Sequence, residues 1–214
     1  MNVIKQPNFI IFGKNSIDEF NFPTSCLVIT SKGAKARGWL DRFKLKNYYI
    51  FDKVEPNPSI EIIDEIISDF RDSNFSHVIG LGGGSSLDVA KFVAFKLKKF
   101  KILIPTTFGS GSEVTRISVL KVNGKKQSFH DDGLFADVAI IDPQFLENSS
   151  QDVIKNSVTD ALAQCSEAYD SKISNSYTKF LCKTAFDVLE NGIMNEQYED
   201  LAIGSLYCGL GFGN

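Results

Sequence analysis

Several short runs along the first two thirds of the chain stay apolar instead of alternating with polar residues. They are Ser25–Thr30, Tyr48–Phe51, Ser76–Leu81, Lys101–Ile104 and Val138–Ile141. Short apolar runs of this kind read as strands buried on both faces. Helical patterns lie between them. Ser59 is placed to cap a helix running to about Asp72, with Ile60, Ile63, Ile67 and Phe70 on its apolar face. Ser85 or Ser86 is placed to cap a second helix, Leu87 to Leu97, with Val89, Phe92 and Val93 on one face. Strand and helix in alternation predict an α/β fold, Rossmann-like, around a mostly parallel sheet. Val119–Val122 and Lys126–Phe129 flank Asn123-Gly124, a hairpin signal that predicts a short β-ribbon.

The character changes after Pro143. Helical patterns run Val153–Tyr169, Asn175–Asn191 and Glu196–Phe212, with no confident strand from Gln151 onward. The expected boundary lies near Glu147-Asn148-Ser149-Ser150. It divides the chain into an α/β domain over residues 1–148 and the start of an all-helical domain over 149–214.

A length of 214 residues suits one sizeable domain, or one domain and part of another. Hydrophobic content of 43% and charged content of 23% are those of an ordinary globular protein. A net charge of −3 gives no basic excess for nucleic acid. No apolar run reaches the length of a membrane span. The segment Met1–Pro7 lacks the apolar region of a signal peptide, so the expected location is cytoplasmic. Cys26, Cys165, Cys182 and Cys208 form no CxxC pair and are expected to be reduced packing residues. The 18 phenylalanines read as core filling, because basic residues are not interleaved with them.

Candidate chemistry begins at Gly82-Gly83-Gly84-Ser85-Ser86-Leu87-Asp88, directly after the apolar run His77–Leu81 and at the head of a helix. Strand, glycine-rich turn and helix together can cradle a phosphate: glycines let the backbone approach, and the helix N-terminus offers N–H groups. A plain tight turn is the alternative. Ile104-Pro105-Thr106-Thr107-Phe108-Gly109-Ser110-Gly111-Ser112-Glu113-Val114-Thr115 follows the next strand and is dense in hydroxyls and glycines. Asp160-Ala161-Leu162-Ala163-Gln164 lies in a helical pattern that leads to Glu167-Ala168-Tyr169.

In this order the three segments resemble the iron-containing (group III) alcohol dehydrogenase family, whose superfamily includes glycerol dehydrogenase and dehydroquinate synthase. The resemblance runs from about Ile11 to the end of the chain. It takes in Val54-Glu55-Pro56-Asn57-Pro58 and Asp137-Val138-Ala139-Ile140-Ile141-Asp142-Pro143. It implies a Rossmann-like nucleotide-binding domain followed by an all-helical domain, of which only the start is present. It also implies a nicotinamide cofactor. Gly83, Gly84 and Ser85 would take the pyrophosphate, and Thr106, Thr107 and Ser112 would line the adenine and ribose side. Asp88 would stand near the nicotinamide carboxamide, or else stabilise the helix N-terminus. Lys126 falls where the family has a lysine near the cofactor, with a solvated hairpin lysine as the alternative. In the turn Thr30–Gly33, NAD-preferring relatives often carry an acidic residue where Ser31 stands. Ser31 with Lys32 therefore leans to NADP, and Ser31 as a helix cap leaves NAD open.

For a divalent metal, iron or zinc, the family uses Asp and His four apart plus two later histidines. Asp160 matches the first ligand, and Gln164 stands in place of the histidine. An amide is a weak ligand for either metal. His77 at the head of a strand is expected to be structural and His130 a loop residue. The expected activity is hydride transfer between NAD(P)H and a small alcohol, aldehyde or ketone substrate. The alternatives are a non-catalytic nucleotide-binding short form and a polyol-phosphate or dehydroquinate-synthase-like activity. The chain stops within a helical pattern, which favours a fragment of a longer dehydrogenase. Self-association as a homo-oligomer is possible, and neither a nucleic-acid nor a membrane partner is expected.

Overall fold

The computed structural model describes residues 2–147 and 149–214. In chain order the elements are β1 (Phe9–Phe12), α1 (Ser16–Glu19), β2 (Ser25–Ile29), α2 (Lys32–Ala36), β3 (Asn47–Phe51) and α3 (Glu61–Asp69). They continue with β4 (His77–Gly82), α4 (Gly84–Leu97), β5 (Phe100–Pro105), β6 (Ile117–Val122), β7 (Lys125–His130) and β8 (Val138–Ile141). The chain then runs through α5 (Gln144–Glu147), α6 (Gln151–Asp170), α7 (Ser176–Met194) and α8 (Tyr198–Phe212).

Six strands form one parallel sheet in the order β1-β8-β5-β4-β2-β3. Four of the five apolar runs are its interior, with Leu27, Val28, Ile79, Leu81, Leu103 and Ile140 fully buried, whereas Tyr48–Phe51 lies in the edge strand β3, where Tyr48 and Tyr49 are exposed instead of buried on both faces. The chain leaves β2 outward to β3 and then crosses back to β4, so the direction of winding reverses between β2 and β4. In open α/β sheets the crevice at such a reversal, beyond the carboxyl ends of the strands, is where ligands bind. The predicted β-ribbon is present as β6 and β7, antiparallel and turning at Asn123-Gly124. No helix among the described residues is long and apolar enough to cross a membrane.

The structure corrects several expected boundaries. β1 was not foreseen, because at the sheet edge Phe9 and Phe12 are exposed and only Ile10 and Ile11 turn partly inward. Ser59 does not cap α3. The Lys121 amide donates to the Pro58 carbonyl and the Ile60 amide to the Lys121 carbonyl, which holds Ser59 extended against β6. α3 therefore starts at Glu61 and ends at Asp69, and it buries Ile63 and Ile66. Ile60, Ile67 and Phe70 are only partly covered. Neither Ser85 nor Ser86 caps α4, because Gly83 occupies that position and the helix begins at Gly84. The expected boundary near Glu147–Ser150 includes Asn148, which lies outside the described residues.

The segment after β5 touches the helices at close range. Gly111 has φ +59°, and a Cβ there would stand 2.7 Å from the Gly209 Cα. A Cβ on Gly209 would stand 3.0 Å from the Gly111 Cα and 2.7 Å from Val114 Cγ2. Two glycines facing each other let α8 sit directly on this segment. Overpacking such a contact costs about 1–3 kcal/mol. Gly209→Ala should lower the urea midpoint accordingly, and an unchanged midpoint would show that the contact is loose.

Candidate functional site

A cleft of about 680 Å³ opens beyond the carboxyl ends of β4 and β5, between α4, the β-ribbon and α6. α4 is its main wall. The turn that leads into α4 is possible because Gly82 holds φ +143°, a conformation side chains rarely adopt. Gly83 then stands at the cap position, with no side chain to cap the helix that begins at Gly84. The first amides of α4 thus have no side-chain acceptor, and the Ser86 amide turns to the Gly83 carbonyl at 2.9 Å, which leaves those of Gly84 and Ser85 as the ones that suit an anion. Crowding around the turn keeps it small: a Cβ on Gly84 would stand 2.9 Å from Ser110 Oγ, and one on Gly83 3.0 Å from Thr107 Oγ1.

Of the residues expected from the sequence, Gly84, Ser85, Asp88, Thr107, Ser112 and Lys126 share this wall, as do Asp160 and Gln164. The rest stand off it. Gly83 lies behind Gly84. Thr106 is buried, and its amide donates to the Gly82 carbonyl. Ser31 and Lys32 lie at the end of β2, the strand beside β4. Ser31 Oγ accepts from the Ala34 amide at 3.3 Å, so it does cap α2, and Lys32 is exposed. Lys126 is at once an exposed hairpin lysine and part of the cleft wall.

The sequence reading missed Asn57, Ser110, Asn156 and Ser157, which also line the cleft. Asn57 had a signal in its proline-flanked turn. It holds φ +54°, and its amide donates to Ser85 Oγ at 3.3 Å. Asn156 and Ser157 lie one helical turn before Asp160 and had no local signal.

The role given to Asp88 at the helix terminus does not hold. The helix starts at Gly84, so Asp88 sits in the second turn. Its Oδ1 accepts from Ser112 Oγ at 2.6 Å, and its Oδ2 accepts from the Val119 amide at 3.0 Å. Lys91 Nζ lies 3.2 Å from Oδ1 and is fully buried. Burial pushes Lys91 below the usual lysine range, against the pull of Asp88 and Glu113. Glu113 is buried in the same region. Burial pushes its carboxyl up to about 7, against its own backbone amide and Lys91.

The histidines are elsewhere. His77 is at the opposite end of β4, edge-on to Phe100 at 5.0 Å, and His130 ends β7 in solvent. The four cysteines are buried and free. Burial pushes Cys26 up to about 12, far from a reactive thiolate.

Asp160 and Gln164 stand one turn apart on α6, as their spacing requires. The Gln164 Oε1 is buried and has no hydrogen-bond partner. Among the described residues no group of three His, Cys, Asp or Glu side chains is arranged to hold a metal ion. A carboxylate and an amide oxygen do not make a donor set for iron or zinc, which favour imidazole nitrogens in such sites. The residues present do not fit the metal that the resemblance implied.

The sequence profile of the iron-containing alcohol dehydrogenases matches residues 7–143, more than half of the chain. The chain belongs to this family. It is 35% identical over 185 residues to the 4-hydroxybutyrate dehydrogenase of Clostridium kluyveri, covering 73% of this chain and 50% of that protein. It is 35% identical over 195 residues to the long-chain-alcohol dehydrogenase 1 of Geobacillus thermodenitrificans, covering 78% of this chain and 49% of that protein. The chain thus spans about half the length of these relatives. The iron-containing alcohol dehydrogenase of Thermotoga maritima superposes with a TM-score of 0.87 at 28% identity, covering 99% of this chain and 68% of that one. A 1,3-propanediol oxidoreductase shares the fold with a TM-score of 0.94 at 24% identity, covering 100% of this chain and 66% of that one.

Glu113 gives a pH prediction. Its folded-state pKa of about 7 lies above its ordinary value of 4.5. The folded protein therefore keeps a proton that the unfolded chain has lost between those values. This contribution to stability is fully present below pH 4.5 and is lost as pH rises to about 7. Glu113→Gln should flatten the decline between pH 5 and 8 and raise stability above pH 7 by as much as about 3 kcal/mol. Urea unfolding at both pH values checks it. Parallel declines in the two proteins would assign the titration to another group.

Proposed function

We propose that this chain forms the nucleotide-binding part and the first helices of an oxidoreductase that interconverts an alcohol and an aldehyde or ketone with NAD(P)H. The observation that carries the proposal is the uncapped start of α4 at the head of a cleft lined by Ser85, Thr107 and Ser110. In this reading residues 1–148 are the cofactor domain and 149–214 begin the substrate domain. Cytoplasmic location and self-association belong to the same reading.

The amides of Gly84 and Ser85, whose small side chains leave the backbone open, would hold the pyrophosphate. Gly83 sets their direction. Thr107 stands along the adenine and ribose side with Thr106 as backing, whereas Ser112, whose Oγ bonds Asp88 at 2.6 Å, belongs to the nicotinamide end instead of the adenine side. Lys126 offers a positive charge from the ribbon. The carboxylate of Asp88 faces the nicotinamide end. Bound there, the nicotinamide supplies the hydride donor and acceptor. The ribose end lies toward the turn after β2. Ser31 carries no charge to repel a 2′-phosphate, and Lys32 attracts one, so NADP is the preferred cofactor.

The donor pair Asp160 and Gln164 favours a second reading, a nucleotide-binding module that does not turn over alcohols. It predicts binding unaffected by a chelator and no oxidation of any alcohol by this chain.

The test is titration of the purified chain with NADPH and NADH, followed by nicotinamide fluorescence. Binding with NADPH the tighter ligand is expected, and no binding of either at millimolar concentration would overturn the proposal. Ser31→Asp should move the NADPH-to-NADH affinity ratio at least about tenfold toward NADH, a difference of about 1.4 kcal/mol. It should leave stability unchanged, because Asp caps a helix as well as Ser does. An unmoved ratio would detach Ser31 from cofactor choice.

A further inference from the structure

Lys91 is the largest fully buried side chain that carries a charge, and it makes no part of the cleft wall. It lies on α4, one turn beyond Asp88. Its ammonium has three protons to donate, and three acceptors surround it: the Ser112 carbonyl at 2.9 Å, the Ile117 carbonyl, and Asp88 Oδ1 at 3.2 Å. These acceptors come from three pieces of chain. Ser112 is in the segment after β5, Ile117 opens β6, and Asp88 is on α4 itself. Asp88 repeats the pattern from its side. Its carboxylate takes Ser112 Oγ and the Val119 amide, and its carbonyl accepts from Ser118 Oγ at 3.0 Å. Ser112, Ile117, Val119 and Asp88 all line the cleft. Four wall residues, Asp88, Ser112, Ile117 and Val119, are therefore tied, directly or through Asp88, to one ammonium buried behind the cleft.

We propose that Lys91 is a positioning residue, holding the Asp88 carboxylate and the β6 wall at the separation a dinucleotide needs. The proposal rests on the dinucleotide reading of the cleft. The phosphate cradle at Gly84 and Ser85 does not depend on Lys91, because it is formed by the turn after β4. Losing Lys91 should thus harm the far end of the cleft and spare the cradle. A merely structural lysine would harm both alike. The charge pair also has a second consequence. Removing Lys91 alone strands a buried carboxylate, whereas removing both charges does not.

The experiment uses the whole chain with Lys91→Met, Lys91→Arg and the charge-balanced double variant Lys91→Met/Asp88→Asn. Binding is measured for NADPH, NADH and ADP, and amide hydrogen exchange is followed at Val119. In Lys91→Met, dinucleotide affinity is expected to fall at least about tenfold while ADP affinity stays within about twofold, and the Val119 amide should exchange faster. Lys91→Arg should restore part of both. If Lys91→Met does not fold, the double variant carries the test, and its dinucleotide binding is expected to stay weak. Recovery of dinucleotide binding in the double variant would overturn the proposal, since charge balance alone would then suffice. Equal losses of ADP and dinucleotide would also overturn it. If the unmodified chain binds ADP but no dinucleotide, the reading of the cleft fails by itself. Val119 exchange then judges Lys91, and an unchanged rate overturns its role.

Discussion

Burying a helix that carries charge constrains everything around it. α4 is covered without interruption from Ser86 to Ala94, and two of those residues are Asp88 and Lys91. A charge taken out of water must be paired and hydrogen-bonded, or the fold loses several kcal/mol. The partners that meet this demand are Ser112, Ile117 and Val119, and Ser118 adds a bond to the Asp88 backbone carbonyl. Satisfying the buried pair therefore fixes how the segment after β5 and the β-ribbon stand against the helix. The same segment meets α8 through Gly111 and Gly209 and runs along α6 near Ser157. The cleft is the space left when these contacts are made.

The sheet supplies the other half of the arrangement. Gly80 sits beneath α4, where a Cβ would stand 2.7 Å from Ala90 Cβ and 2.9 Å from Leu103 Cδ2. The helix can lie this close only because the strand has no side chain at that point. Its N-terminus is thereby brought to the reversal of strand order, where the turns after β2, β4 and β5 emerge side by side. Dense packing and ligand geometry are set by the same glycines.

Much of this was legible in the sequence because it depends on local chemistry. Unbroken apolar runs marked β2, β3, β4, β5 and β8, and Asn123-Gly124 marked the ribbon. The glycine and hydroxyl segments marked the head of the cleft. What escaped depends on contacts between distant residues. Ser59 reads as a cap until Lys121 is seen to hold it extended. Asp88 reads as a terminal acid until the helix is seen to begin at Gly84. Lys91 drew no reading at all, since nothing near it in sequence announces three acceptors from three segments. Gln164 was visible from the start as a departure from the family, and its unpartnered amide oxygen agrees with that.

The central claim is that the start of α4 and the hydroxyl-lined segment after β5 form one nucleotide site. Amide chemical shifts followed during titration with NADPH test it most directly. The account predicts that the largest changes fall on Gly84, Ser85, Thr107 and Ser110, with His77 and Phe100 at the far end of the sheet unmoved. Changes centred on that far end, with the Gly84 and Ser85 amides silent, would contradict it.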